Sequence, residues 1–302
     1  MKKDGFTALK MSFSQSTGII QLSDEQLKKV HTTLLEMLDD FMRVAEKNNL
    51  SYTLCGGSVL GAIRHHGFIP WDDDLDLNMS RQEYDKLTKI FDKEMGDKYV
   101  LCAPLITKHH GFTGCTIRKK GTVFRSFNEI PKPEEECGIG VDIFVVENTY
   151  DNSILRKIHG YICLAAGYLL TCRKSAEDLS YFEPYFAGNN ELRDLIMKKA
   201  KIGRFFRFIS VDSATRIAMY WYTRYKNNAS KYVTIPSGRK HYFGEMAKRE
   251  DFLGSIPASF EGRIVPVPKD YPGYMERLYG KTYMQLPPEE DREIHSVVEF
   301  KL

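Results

Sequence analysis

Residues 54–79 constrain this chain more than any other stretch. They read Leu54-Cys55-Gly56-Gly57-Ser58, then VLGAIRHHGFIPW, then Asp72-Asp73-Asp74-Leu75-Asp76-Leu77-Asn78-Met79. A short apolar run (Tyr52, Leu54, Cys55) meets two glycines and a serine, and VLGAIRHH beyond them reads as a helix. A strand that turns through Gly-Gly-Ser into a helix start leaves backbone N–H groups unpaired. Because the glycines carry no Cβ, an anion can come close to them. The acidic end alternates with strand period, which predicts Asp72, Asp74 and Asp76 on one face and Leu75 and Leu77 toward the core. Asp73 then points the other way, as a structural residue. Like charges on one face repel unless a cation neutralises them, and Mg²⁺ is the oxygen-seeking ion suited to phosphate chemistry. A phosphate cradle facing a metal site is a phosphoryl-transfer constellation.

Composition narrows the class. With 302 residues, 42% of them hydrophobic, the chain can bury a sizeable core in one large domain or two small ones. A net charge of +3 is too weak to announce a nucleic-acid binder. The six cysteines form no Cys-x-x-Cys pair and sit mostly among apolar neighbours, which reads as reduced thiols. MKKDGFTALKMSF has two lysines but no apolar run long enough for a signal peptide, so the expectation is a cytoplasmic protein.

Along the chain, a tail to about residue 22 precedes Ser23-Asp24-Glu25-Gln26, a capping box. Leu27, Val30, Leu34, Leu38, Phe41 and Ala45 recur at helical spacing after it, with Glu36, Asp39 and Asp40 on an expected solvated face. Residues 81–91 read as a second helix. Residues 98–103, 112–118 and 122–127 read as short strands, the last two joined by a turn at Lys119-Lys120-Gly121. Gly138 to Val146 reads as a buried strand in which Asp142 is a lone carboxylate, costly unless it is paired or holds metal. Asp142 is therefore the candidate that completes the metal site from a neighbouring strand.

From about Ser153 to Tyr225 the chain turns helical. Its most apolar run, residues 161–170, is well short of the roughly 20 residues that span a bilayer and reads as a core helix. Lys198, Lys199, Lys201, Arg204 and Arg207 interleave with Ile202, Phe205, Phe206 and Phe208. That pattern suits either a peripheral contact with a membrane surface through residues 197–210 or an ordinary helix with a solvated basic face. Residues 260–268 read as a strand ending in prolines, followed by a short helix over residues 271–279 closed by Gly280. The simplest division is a tail (1–22), a catalytic core (23–150) and a helical, loop-rich part packed on it (151–302).

The string GGSVLGAIRHHGFIPWDDDLDL resembles the LicD family of phosphocholine transferases, within the nucleotidyltransferase superfamily and distantly related to fukutin and fukutin-related protein. The Asp142 strand resembles the family's second block, though Val145, Val146 and Glu147 stand where that block has a proline and a final aspartate. FEGRIVPVPKDYPGYMERLYGKTYMQLPP resembles the third block.

The resemblance implies an α+β fold, a nucleotidyltransferase-like mixed sheet flanked by helices. It also implies transfer of phosphocholine from CDP-choline to a hydroxyl of a glycan or lipid-linked glycan, with release of CMP. On that reading Asp74, Asp76 and Asp142 are catalytic and hold Mg²⁺ (or Mn²⁺), with Asp72 in support. Gly56, Gly57 and Ser58 hold the phosphates, and Arg64 is either a phosphate clamp, by the fit of a guanidinium to phosphate oxygens, or a helix-surface arginine. His65 and His66 lack metal-ligand spacing and read as surface residues, while Trp71 is an aromatic face near enough to attract a choline head. The alternatives are a CDP-polyol donor, a nucleotidyltransferase that attacks an NTP and releases pyrophosphate, or a Ca²⁺-binding scaffold. The last fits poorly, because the cluster lacks the spacing of an EF-hand loop.

Overall fold

In the computed structural model, which describes residues 19–186, 189–289, 292 and 297–302, helix α1 (Asp24–Lys47) opens the chain. Most of the expected tail lies outside the described residues; Ile20, at its end, bridges to Val297. The capping box forms as the sequence requires. Ser23 Oγ accepts the Gln26 N–H at 3.2 Å, and Gln26 Oε1 accepts the Ser23 N–H at 2.9 Å. Val30, Leu34, Leu38 and Phe41 are buried along one side. Of the acids expected to face solvent, Glu36 and Asp39 do so and Asp40 is half-buried, and all three also fasten α1 to later segments. Asp39 takes both arms of Arg263 (2.5 and 2.6 Å), which hold its carboxyl below the usual range. Asp40 takes Lys98 (2.9 Å) and the Tyr99 hydroxyl (2.8 Å), and Glu36 pairs with Lys119 (2.5 Å).

Strand β1 (Thr53–Leu54), helix α2 (Gly56–His65), strand β2 (Leu75–Ser80) and helix α3 (Arg81–Glu94) follow. Strands β3 (Tyr99–Cys102), β4 (Cys115–Lys119), β5 (Val123–Ser126) and the long β6 (Gly140–Thr149) come next. The helical part is α4 (Ser153–Glu177), α5 (Leu179–Phe182), α6 (Asn190–Phe205) and α7 (Val211–Tyr222). The last third holds β7 (Tyr232–Thr234), α8 (His241–Gly244), β8 (Ala247–Lys248) and α9 (Arg249–Leu253). The hairpin β9 (Ser255–Phe260) and β10 (Arg263–Pro268), α10 (Tyr271–Tyr279) and β11 (Val297–Lys301) complete it.

The main sheet runs β1-β2-β6-β4-β3, with β7 and β8 continuing from the far half of β6. Within it β2 and β6 are parallel and the other pairs antiparallel, so the sheet is mixed and the fold α+β, as expected. Leu75, Leu77, Val141, Ile143 and Ile117 share one buried face, in the same core as Val30 and Leu34 of α1. Each such side chain removed from water stabilises the fold by about 1.5–3 kcal/mol. Phe260, Val265, Val267, Tyr274 and Leu278 of the C-terminal block join that core too.

Three expectations need correction. Strand β2 begins only at Leu75, because Asp72 closes a turn by donating its N–H to Ile69 O at 2.9 Å. Strand alternation therefore does not govern Asp72, Asp73 and Asp74. Strands β4 and β5 are joined by the expected turn, with Gly121 at φ +78°, but they do not pair. β4 lies between β3 and β6, and β5 pairs with β11. The strand read over residues 260–268 is the second arm of a hairpin whose turn, Glu261-Gly262, has positive φ at both residues. All six cysteines are buried and free, in line with reduced thiols.

Candidate active site

The site is built where α2 starts. β1 delivers the chain to Cys55, whose N–H donates to Asp76 O at 2.9 Å, while the Asp76 N–H donates to Ser58 Oγ at 2.9 Å. The first turn of α2 thus grips both backbone groups of Asp76 and fixes it at the mouth of β2. The buried Ser58 spends its oxygen on this bond, so its first task is to position Asp76 rather than to face open space. On the neighbouring parallel strand, Asp142 stands in register with Asp76, and Thr116 of β4 stands in register with Asp142. Thr116 Oγ1 donates to Asp142 Oδ1 at 2.6 Å, which orients that carboxylate.

The two glycines make room for carboxylates. Gly56 has φ +47°, and a Cβ there would lie 3.2 Å from Asp76 Oδ2; a Cβ on Gly57 would lie 2.9 Å from Asp72 Oδ2. The Tyr279 hydroxyl stands 3.7 and 3.9 Å from the same two positions. Asp72, Asp73 and Asp74 each bring a carboxylate oxygen within 4.8 Å of the others. His31, stacked on Phe68, holds this turn through a 2.7 Å bond between its Nε2 and Asp72 O. Asp73, set aside by the alternation argument, therefore belongs to the cluster.

Such a donor set consists of hard carboxylate oxygens beside a helix N-terminus, and that chemistry fits Mg²⁺ or Mn²⁺ better than a soft metal. The thiol of Cys55 reports how charged the neighbourhood is. Burial raises its pKa well above the ordinary value, and Asp76, Glu245 and Asp74 raise it further.

Residues 49–160 match the family described as LicD/FKTN/FKRP, nucleotidyltransferase domain. The chain is 26% identical over 281 residues to the lipopolysaccharide cholinephosphotransferase LicD of Haemophilus influenzae, covering 90% of this chain and 97% of that protein. An uncharacterized Rickettsia prowazekii protein is 38% identical over 77 residues, 24% of this chain and 29% of its own length. Residues 49–160 are thus similar to a LicD-family nucleotidyltransferase domain.

Around this LicD-like region, the C-terminal block supplies side chains that local sequence patterns did not flag. The fully buried Tyr274 accepts the Gly56 N–H at 3.2 Å and lies 3.2 Å from Cys55 Sγ. It therefore occupies one of the N–H groups expected to be left for phosphate. The Arg239 guanidinium lies over the Tyr279 ring, 5.9 Å from its centroid, which brings a cation beside the hydroxyl that faces Gly56 and Gly57. The loop carrying Arg239 is held by Glu245, whose Oε1 accepts the Lys240 N–H at 2.8 Å and presses so closely on Gly238 that no side chain fits there. Glu245 is buried, and burial pushes its pKa up to about 7 against the pull of Lys240, Arg239 and Arg277.

The expected phosphate clamp is otherwise engaged. Arg64 lies at the far end of α2, where it donates to the carbonyls of Tyr283 (2.9 Å) and Gln285 (3.1 Å) and to His65 Nε2 (2.9 Å). It anchors the segment after α10, and its remoteness from the helix start argues against the clamp. Trp71 already has a cation over its ring, Arg292 at 4.4 Å. Apart from the bond between the neighbours Arg64 and His65, these contacts have no sequence signature, because each joins residues far apart in the chain.

Proposed function

We propose that the protein is a Mg²⁺-dependent phosphotransferase that moves phosphocholine from CDP-choline to a hydroxyl of a cell-surface glycan or its lipid-linked precursor, releasing CMP. The observation that carries this reading is the register of Asp76 and Asp142 on adjacent parallel strands, with Asp76 beside the glycine start of α2 and Asp72, of the Asp72–Asp74 cluster, beside Gly57. The likeness to the Haemophilus cholinephosphotransferase, which extends over nearly the whole length of both chains, supports choline as the alcohol.

Asp74, Asp76 and Asp142, with Asp72 in support, would hold the metal. When bound, it would neutralise charge on the diphosphate and on the departing CMP. The remaining work falls to the chain. N–H groups in the first turn of α2 and the Tyr279 hydroxyl favour negative charge at the phosphates. The acceptor oxygen attacks the phosphorus bearing choline, forming a new P–O bond. The P–O bond to CMP breaks, and CMP leaves with its electron pair. Asp142, oriented by Thr116, would complete that metal shell or take the proton of the attacking hydroxyl. Asp73 and Ser58 keep the turn and the strand mouth in place.

No helix among the described residues is long and apolar enough to cross a membrane. A lipid-linked acceptor would thus be met at a membrane face, which the reading takes to be the cytoplasmic one. The test is thermal stabilisation of the purified protein with Mg²⁺ by CDP-choline, CDP-ethanolamine, CDP-ribitol, CDP-glycerol and the four NTPs. CDP-choline is expected to stabilise the fold and, with an acceptor, to yield CMP. Stabilisation by CDP-polyols alone would shift the donor to a polyol phosphate. Stabilisation by an NTP alone, with pyrophosphate release, would overturn the transferase reading.

A further inference from the structure

The basic, aromatic segment singled out in the sequence has no part in the site, yet the structure gives it a definite form. α6 ends at Phe205, and residues 206–210 turn the chain into α7. Phe205 and Phe208 project from this turn at 76% and 78% exposure, while Phe206 is half-buried and packs edge-on against Phe205, with ring centroids 5.1 Å apart. Two almost fully hydrated phenyl rings at one tip are a cost that a folded chain ordinarily avoids.

The tip is held rigidly. Arg173, buried on α4, donates to Gly203 O at 2.8 Å and to Ile209 O at 2.6 Å, clamping both ends of the turn. Gly203 sits so tightly on Cys172 O that a Cβ has no room, which fixes the end of α6 against α4. A buried guanidinium spent on two turn carbonyls keeps the rings displayed without further ordering on contact.

Charge surrounds the rings. Lys198, Lys201, Arg204 and Arg207 are exposed, and none pairs with a carboxylate among the described residues. Between Asp194 and Asp212 the sequence has five cations and no acid. Such a surface would repel a second copy of itself.

We infer that the α6–α7 turn is a docking element for an anionic membrane surface, with Phe205 and Phe208 entering the interface and the flanking cations meeting lipid headgroups. This deepens the proposed reading by naming where a lipid-linked acceptor is met, but its test makes no use of the reaction. α6 and α7 hold the tip at a fixed place on the molecule, so docking there also fixes how the rest of the chain faces the bilayer.

The experiment is co-sedimentation of the full chain with vesicles of phosphatidylcholine alone, or of phosphatidylcholine mixed with an equal amount of phosphatidylglycerol. Binding is expected only to the anionic vesicles and should weaken as salt is raised. The pair Phe205→Ser and Phe208→Ser, and separately the pair Lys201→Glu and Arg204→Glu, should each reduce binding about tenfold or more. Both pairs are solvent-exposed, so the wild-type melting temperature should be kept and checks that folding is intact. Wild-type protein that ignores both vesicles, or variants that bind as wild type does, would overturn the inference, as would self-association through the patch. Donor binding scored on the same proteins keeps the two readings separate, since it can succeed or fail whatever the vesicles show.

Discussion

Asp76 and Asp142 are held by different devices and should fail differently. Asp76 is fixed through its backbone, by Cys55 and Ser58. Asp142 is fixed through its carboxylate, by Thr116. Asp76→Asn and Asp74→Asn keep the shape and remove the charge, so each should lower turnover at least about a hundredfold while leaving the melting temperature near wild type. Asp142→Asn should cost about 10²–10⁴-fold if its main task is to take the proton. Steady-state CMP release, read beside thermal melts, decides the matter; near-normal turnover in either Asp74→Asn or Asp76→Asn would sink the assignment. That Asp142 stands on a strand beside Asp76 was legible in the sequence, because each lies in an apolar strand where a carboxylate needs a reason. The part of Asp73 was not. Its reading depended on strand alternation, and the Ile69–Asp72 turn ends that alternation's reach before β2 begins.

At the scale of elements, the decisive joint is the start of α2, where two glycines do separate jobs. Gly56 has a positive φ that a side chain resists, so Gly56→Ala should destabilise the fold by about 1–2 kcal/mol. Gly57 has no such strain, and its new Cβ would crowd the Asp72 carboxylate, 2.9 Å away at the end of a side chain, while the Tyr279 hydroxyl at 3.9 Å stays at ordinary contact distance. Gly57→Ala should therefore melt at or above the wild-type temperature yet need more Mg²⁺ for half-maximal turnover. Melting curves and Mg²⁺ titrations of the two variants separate these effects, and an unchanged Mg²⁺ requirement in Gly57→Ala would count against a metal beside Asp72. The helices were readable because their signals are local: the Ser23–Gln26 box, the Gly-Gly-Ser start, and Gly280 after Tyr279. Strand pairing was not. Nothing near Val123–Ser126 says that its partner is Val297–Lys301, or that Cys115–Lys119 will pair away from it.

At the scale of the whole molecule, the C-terminal third closes over the start of α2, and Glu245 sits at that junction. Its carboxyl touches the loop that carries Arg239, and Cys55 and Tyr274 both feel its charge. Burial raises its pKa from an ordinary 4.5 to about 7, with Lys240, Arg239 and Arg277 opposing. The sign follows from proton counting. Below the unfolded value both states hold the proton, and this group's contribution to stability is full. Between about 4.5 and 7 the unfolded chain releases the proton while the folded chain keeps it, so stability falls as pH rises. Above about 7 both states are ionised and the loss levels off, at a total of about 3 kcal/mol. Glu245→Gln retains an oxygen for the Lys240 N–H but cannot ionise. The variant's stability relative to wild type should therefore climb across that window and stay flat beyond it. Denaturant melts of both proteins from pH 4 to 8.5 measure the difference, in which every other titrating group cancels to first order. Curves that run parallel would mean that Glu245 is charged in the folded protein, held by its cations in spite of its burial.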